Sequence, residues 1–89
     1  MEMTTKERII ETSTELFNTK GIRSITMDEI SSVNGISKRT LYELFADKST
    51  LIEACFMSLA NKMREISMEL RREASNILEY ILIYKNYES

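Results

Sequence analysis

The chain contains no proline, only two glycines and a single cysteine among its 89 residues. Because good helix formers dominate and helix breakers are almost absent, the composition predicts an all-helical protein rather than one built on strands. Cys55 has no partner for an internal disulfide, which fits a reducing compartment, and we interpret it as a small buried hydrophobic residue on a helix. At this length we expect one small domain.

Signatures of catalysis and of membrane insertion are also missing. The sequence has no histidine, no cysteine pair, no glycine-rich phosphate loop and no serine with a matching base, so neither an enzyme nor a bound metal or cofactor is expected. The first six residues are too polar and too acidic for a signal peptide, and no apolar run approaches the length of a membrane span. These absences predict a cytoplasmic protein.

The charge balance is slightly acidic, with 12 Lys and Arg residues against 14 Asp and Glu residues and a formal net charge of −2. Residues 1–47 also contain more acidic than basic residues. A net negative charge is a poor match to a protein that binds nucleic acid. Any nucleic-acid binding must therefore depend on where the basic residues lie rather than on the net charge. DNA affinity from this half alone is expected to be modest and sensitive to salt.

Local patterns predict a first helix over residues 6–20. Thr4 followed by Glu7 is a capping-box arrangement, and the apolar residues that follow recur on one helical face. Gly21 is expected to end the helix in a left-handed conformation. The loop after it should be anchored in the core by two apolar residues, Ile22 and Ile25.

A second capping box starts the next helix, with Thr26 as the cap and Glu29 reaching back to it. Ile30 and Val33 should form its narrow inward face. The helix is expected to end at Asn34, which precedes the second glycine.

The segment after this helix predicts a helix-turn-helix. Gly35 permits a sharp bend, and the apolar side chain of Ile36 should pack at this bend. Ser37 then caps a short third helix over residues 38–45. Two of its apolar side chains, Leu41 and Phe45, should point into the core. The first turn of this helix carries three polar residues, Lys38, Arg39 and Thr40.

Asp47 should cap a long amphipathic fourth helix, in which apolar residues repeat every three or four positions from Leu51 to Leu70. We expect it to end near Arg71, because Asn76 can cap a fifth helix whose residues 77–84 are apolar nearly all round. Without Gly or Pro in this region, a single continuous helix is the alternative. The predicted fold is therefore an all-α three-helix bundle whose helices 2 and 3 form a helix-turn-helix, followed by a long helix 4 and an apolar helix 5.

One run of residues is similar to a known family: Ile36-Ser37-x-x-Thr40-Leu41-Tyr42-x-x-Phe45-x-x-Lys48-x-x-Leu51, preceded by Ile25-Thr26-Met27-Asp28-Glu29-Ile30. With these motifs the chain resembles the N-terminal DNA-binding domain of TetR-type bacterial transcriptional regulators over residues 6–58. The resemblance implies that double-stranded DNA is the partner.

The resemblance also implies individual contacts. Thr26 and Met27 would lie beside a phosphate at the start of helix 2, and Lys48 would clamp another. The third helix would present to DNA the residues Ser37, Lys38, Arg39, Thr40 and Tyr42. The chemistry agrees, since helix N-terminal amides attract phosphate and Lys and Arg pair with guanine O6 and N7.

Other interpretations apply to single residues of this set. The Lys38-Arg39 pair could be a solvated face, although two cations in a first turn oppose the helix dipole. Tyr42 could pack with its hydroxyl in water. Glu43 stands where family members commonly carry an aromatic residue or histidine directed at DNA, and its carboxylate would repel phosphate while being able to accept a hydrogen bond from cytosine N4. Leu44 is expected to pack inward or to touch a thymine methyl group.

By this resemblance, residues 1–47 form the DNA-binding domain and residues 48–89 the connecting helix and the start of a dimerisation and ligand-binding domain. The expected function is that of a transcriptional regulator, as a repressor, which binds a palindromic operator as a homodimer. A small-molecule effector would act only on a full-length form. The chain could be a fragment, a truncated product or a short regulator that dimerises through residues 70–84.

A function of another class is open. Helices 4 and 5 could form a protein-interaction module that oligomerises, with the helix-turn-helix only as a scaffold, and the acidic balance and apolar C-terminal segment favour this alternative. Salt separates the two functions, because DNA binding weakens steeply with ionic strength and apolar helix pairing barely responds.

Overall fold

A computed structural model of the chain describes residues 2–88, with side chains to residue 86. This part of the chain contains no strand, so the all-helical prediction is confirmed for it. The helices are α1 (Thr5–Lys20), α2 (Met27–Val33), α3 (Lys38–Leu44) and α4 (Lys48–Glu88), with a short 3-10 helix, Ile22–Ser24, between α1 and α2.

Each of the four helices begins at the predicted cap. The side-chain oxygens of these caps accept the amide N–H three residues further on, at 2.7–3.2 Å, in Thr4, Thr26, Ser37 and Asp47. These bonds satisfy amides that have no partner inside the helix. At Asp47 the amide and the hydroxyl of Thr50 both donate to the carboxylate, which lowers the pKa of this group below its ordinary value.

Both glycines have positive φ angles, as their places in the sequence predict. Gly35 lies in the turn between α2 and α3 with φ 65°. Gly21 ends α1 with φ 88° and ψ 146°, which is outside the left-handed helical well that we expected and in a region that few residues other than glycine adopt. Gly21 therefore has a non-helical backbone, and α1 ends before it.

The core of the first part of the chain contains side chains from all four helices and from the loop before α2. Its buried apolar residues are Ile9, Phe17, Ile25, Met27, Ile30, Leu41, Phe45, Leu51 and Cys55. The predicted inward positions of Leu41, Phe45 and Cys55 are confirmed, and burial raises the pKa of the Cys55 thiol.

Two predicted core positions are wrong. Val33 is 58% exposed, because the buried face of α2 consists of residues 27, 30, 31 and 34, and Val33 falls outside this spacing. Ile22 is 48% exposed in the 3-10 helix, so only Ile25 anchors the loop in the core.

The chain divides into two units, Met1–Ser58 and Leu59–Ser89. The predicted fifth helix is wrong as a separate element, since residues 48–88 form one helix, the alternative that the absence of Gly and Pro left open. Asn76 can cap a helix, which is why the sequence predicts a boundary there, but asparagine costs a helix interior only a few tenths of a kcal/mol. Side chains of residues 61–86 are exposed.

The turn of the helix-turn-helix is tied to α1 by a buried asparagine. Asn34, which is 8% exposed, donates from Nδ2 to the Ile30 carbonyl at 2.8 Å, and its Oδ1 accepts from the Thr12 hydroxyl at 3.1 Å. Its own carbonyl accepts from Nη2 of Arg8 at 3.3 Å. Two residues of α1 thus hold the end of α2.

We expect Asn34→Ala to lower the free energy of unfolding by about 1–3 kcal/mol, because the substitution leaves the buried Ile30 carbonyl and the Thr12 hydroxyl without this partner. Urea unfolding followed by circular dichroism measures the loss. Asn18→Ala, at an exposed position of α1, is the matched control and should stay within about 0.5 kcal/mol of the parent. Equal effects of the two substitutions would contradict this role for Asn34.

Candidate nucleic-acid interface

The orientation of α3 is fixed by the turn before it and by its buried side. The amide of Gly35 donates to the Ser32 carbonyl and that of Ile36 to the Ser31 carbonyl, at 3.1 and 3.0 Å, which closes the end of α2. Ile36 is half-buried against the core, as predicted. Since Leu41 and Phe45 point inward, the opposite side of α3 faces outward.

The outer side of α3 carries the two predicted base-reading cations, and both lie in ion pairs. Nζ of Lys38 is 2.6 Å from Oδ1 of Asp28 in the first turn of α2. Nε of Arg39 is 3.3 Å from Oε1 of Glu43, one turn further along α3, and the Arg39 side chain is 90% exposed. The starts of α2 and α3 therefore lie side by side.

Ser37 and Thr40 contact each other at the start of α3. The Ser37 hydroxyl accepts the Thr40 amide N–H at 3.1 Å and donates to the Thr40 hydroxyl at 3.0 Å. Thr40 is half-buried. The Ser37 hydroxyl is thus engaged in capping, whereas the Thr40 hydroxyl still has its own proton to donate.

The remaining residues of α3 separate into an outer and an inner set. Tyr42 is 46% exposed, and its ring lies on the outer side. Glu43 is exposed beside Arg39, whereas Leu44 is half-buried against the core, in agreement with the expected inward packing. A mixed surface of cations, carboxylates and one aromatic ring results.

The three residues predicted to contact phosphate differ in which of their atoms are exposed. Thr26 is exposed, and its hydroxyl caps α2. The Met27 side chain is 7% exposed and belongs to the core, so only its main chain is left for a phosphate. Lys48 is half-buried and donates from Nζ to the carbonyl of Ile22, a contact that leaves two of its three N–H donors.

Sequence reasoning missed the partners of these cations. The spacing of Arg39 and Glu43 by four residues is a readable signal for a pair on one helix face. The Asp28–Lys38 and Lys48–Ile22 contacts join elements that are separated by a turn or a loop, so no local sequence pattern predicts them. Within residues 2–88 there is no cluster of side chains that could hold a metal ion, and no helix there is long and apolar enough to cross a membrane.

Comparisons with known proteins match the part of the chain that contains α2 and α3. Residues 9–55 match the family model described as bacterial regulatory proteins, tetR family. Similar curated proteins include two from Bacillus subtilis (strain 168), both described as uncharacterized HTH-type transcriptional regulators. YvaF is 33% identical over 76 residues, 84% of this chain and 40% of the relative, and YerO is 44% identical over 69 residues, 73% of this chain and 24% of the relative.

A third relative is the HTH-type transcriptional regulator AcrR of Shigella flexneri, which is 25% identical over 84 residues, 90% of this chain and 39% of the relative. The chain thus spans about a quarter to two fifths of the length of these relatives. No solved structure matches it significantly.

Proposed function

Because the chain belongs to the tetR family of bacterial regulatory proteins, we propose that it binds a palindromic DNA operator as a homodimer and regulates transcription, as a repressor. The observation that supports this proposal most is the outer side of α3. It presents Lys38, Arg39 and Tyr42 on a helix whose inner side is locked into the core by Leu41 and Phe45. A recognition helix needs both properties to enter a major groove in a fixed orientation.

The proposed base contacts follow from the chemistry of α3. Lys38 and Arg39 donate to O6 and N7 of guanine, which are acceptors that only a G·C pair presents side by side in the major groove. Thr40 offers a hydroxyl and a methyl group. Tyr42 contacts a base or the sugar-phosphate backbone through its exposed ring and hydroxyl.

The proposed backbone contacts come from the rim of this surface. Lys48 binds a phosphate through the N–H donors that the Ile22 carbonyl leaves free. Thr26 and the main chain of Met27 lie near a second phosphate at the start of α2, and the Ser37 main chain lies near the groove at the start of α3. Such contacts set the register of a protein on the duplex without reading sequence.

Dimerisation would place one α3 helix in each of two successive major grooves, with half-sites roughly 34 Å apart. In this proposal residues 1–47 read DNA, and residues 48–89 belong to the connecting and dimerising part, where a small-molecule effector would act in a full-length form. The exposed apolar side chains of α4 beyond Leu59, such as Met63, Ile66 and Leu70, support assembly. They fit a dimer of DNA-binding chains as well as an interaction module, and the relatives are described as transcriptional regulators.

The experiment begins with selection of bound sequences from a random duplex library by the chain itself. Fluorescence anisotropy then gives the dissociation constant of the selected duplex over a range of salt concentrations. We expect the logarithm of affinity to fall against the logarithm of salt with a slope of about −2, because Lys48 of each subunit displaces condensed counterions. A duplex of shuffled sequence is the control. A flat salt response, or no enriched sequence, would contradict the proposal.

A further inference from the structure

The charges on α3 run against what would stabilise a helix. Lys38 and Arg39 occupy its first turn and Glu43 its last, whereas the helix dipole favours acidic residues at the start and basic residues at the end. The order of the Arg39–Glu43 pair is also the less favourable one, since a carboxylate stabilises a helix better when it precedes the cation. Stability of α3 therefore does not explain this pattern.

Stability of the wider fold explains the two carboxylates only in part. Asp28 lies in the first turn of α2, where the helix dipole favours a carboxylate, but the cap of α2 is the Thr26 hydroxyl. Both ion pairs are exposed, with side chains between 61% and 90% accessible, and exposed pairs stabilise proteins little. Each carboxylate instead forms an ion pair with one cation of α3, Asp28 with Lys38 and Glu43 with Arg39.

A paired cation interacts with DNA differently from a free one. When Lys38 or Arg39 approaches a phosphate, the carboxylate 2.6 or 3.3 Å away approaches as well, and its repulsion cancels much of the attraction. Phosphates are present on every sequence, so this cancellation weakens binding to all DNA alike. Base-edge contacts can restore the balance, because the cation then binds a guanine while its carboxylate binds a cytosine, as Glu43 can, or returns to water, as the exposed Asp28 can.

We propose that Asp28 and Glu43 are specificity-determining residues. They reduce the attraction of Lys38 and Arg39 to the phosphates of non-operator DNA. This role rests on the DNA binding proposed above. On the right sequence Arg39 donates to guanine O6 and N7, while Glu43 accepts from N4 of a cytosine. Asp28 keeps Lys38 paired until a guanine replaces the carboxylate. Random sequence offers no such exchange and is bound weakly.

The test compares the parent chain with Asp28→Asn and Glu43→Gln on two probes, a random-sequence duplex and the duplex enriched by selection. Each variant should bind the random duplex about three- to tenfold more tightly, because the freed cation now gains a phosphate contact. Its salt slope on that duplex should become steeper by about two, since each subunit of the dimer gains one phosphate contact. Affinity for the selected duplex should rise less or fall, so that the ratio between the two probes drops.

Glu15→Gln is the matched control, since it removes the same charge from an exposed position of α1. It should leave the ratio between the probes unchanged. Asp28 and Glu43 are both exposed, and thermal melting of each variant checks that the fold is retained.

The outcomes separate the two proposals. A parent chain that prefers the selected duplex, with the same preference in both variants, would overturn the role of the carboxylates and leave DNA binding intact. A parallel rise of affinity on both probes would also overturn it, because that result is a general charge effect. A parent chain that shows no preference for any sequence would overturn DNA recognition itself, and this inference with it.

Discussion

Replacing Lys38 and Arg39 together by alanine should weaken binding to the selected duplex by about two to four orders of magnitude. Each cation is proposed to contact guanine, and such a contact contributes roughly 1–3 kcal/mol of discrimination. The two residues are neighbours on α3, so their effects need not add. Binding to a random duplex should change far less, because both cations are held by Asp28 and Glu43 when no matching bases are offered.

The control for this double variant removes the same charge elsewhere. Lys62 and Arg64 are exposed on α4, outside the residues that match the family model, and their joint replacement by alanine should leave the preference for the selected duplex intact. Competition binding against random DNA measures the preference in each case. If the α4 variant lost as much preference as the α3 variant, the outer side of α3 would not be the reading surface.

Phe45→Ala is the substitution expected to destabilise the fold most. The Phe45 ring is 2% exposed, packs in the core at the end of α3, and lies under Nζ of Lys6 at 5.6 Å from the ring centre. Truncation of a buried phenylalanine costs about 3–5 kcal/mol, a large part of the roughly 5–15 kcal/mol that stabilises a typical domain. Thermal and urea unfolding followed by circular dichroism should show a much lower midpoint, and DNA binding should fail at temperatures where the variant is unfolded.

Phe56→Ala is the matched control, because Phe56 is 69% exposed on α4. Its free energy of unfolding should stay within about 0.5 kcal/mol of the parent, since little apolar surface leaves a buried environment and alanine is the better helix former. Similar losses in the two variants would show that the core does not close around α3.

Local features of the fold could be predicted from the sequence because their causes lie within a few residues. A cap needs only a short polar side chain before a helix and a free amide three residues later, so Thr4, Thr26, Ser37 and Asp47 were identified correctly. Periodicity likewise placed Leu41 in the core. The same kind of reasoning failed at Val33, because α2 has only seven residues and too few apolar positions to define its inner face.

The end of α4 could not be predicted in this way. A cap such as Asn76 begins a helix only where the preceding residues stop being helical, and nothing between Leu70 and Asn76 forces them to stop. Propensity differences of a few tenths of a kcal/mol are smaller than the gain from continuing an existing helix. The structure accordingly has one helix through Glu88.

For the candidate site, the sequence indicates the outward side of α3 but not the ion pairs that Lys38 and Arg39 make there. The first turn of α3 stands out in the sequence, and the structure places Lys38 and Arg39 on its outer side. The partner of Lys38 is ten residues away across a turn, and Lys48 donates to a carbonyl in the loop after α1. Such contacts depend on how the helices pack, which a single sequence does not specify locally.

An amide chemical-shift map during titration with the selected duplex tests the central claim most directly, because it reports where DNA binds residue by residue. The largest changes should fall on residues 37–42 of the α3 region, with further changes at Thr26 and Lys48. Amides of residues 59–86 should move less. Large changes confined to residues 59–86, with the amides of α3 unmoved, would contradict the claim that the outer side of α3 reads DNA.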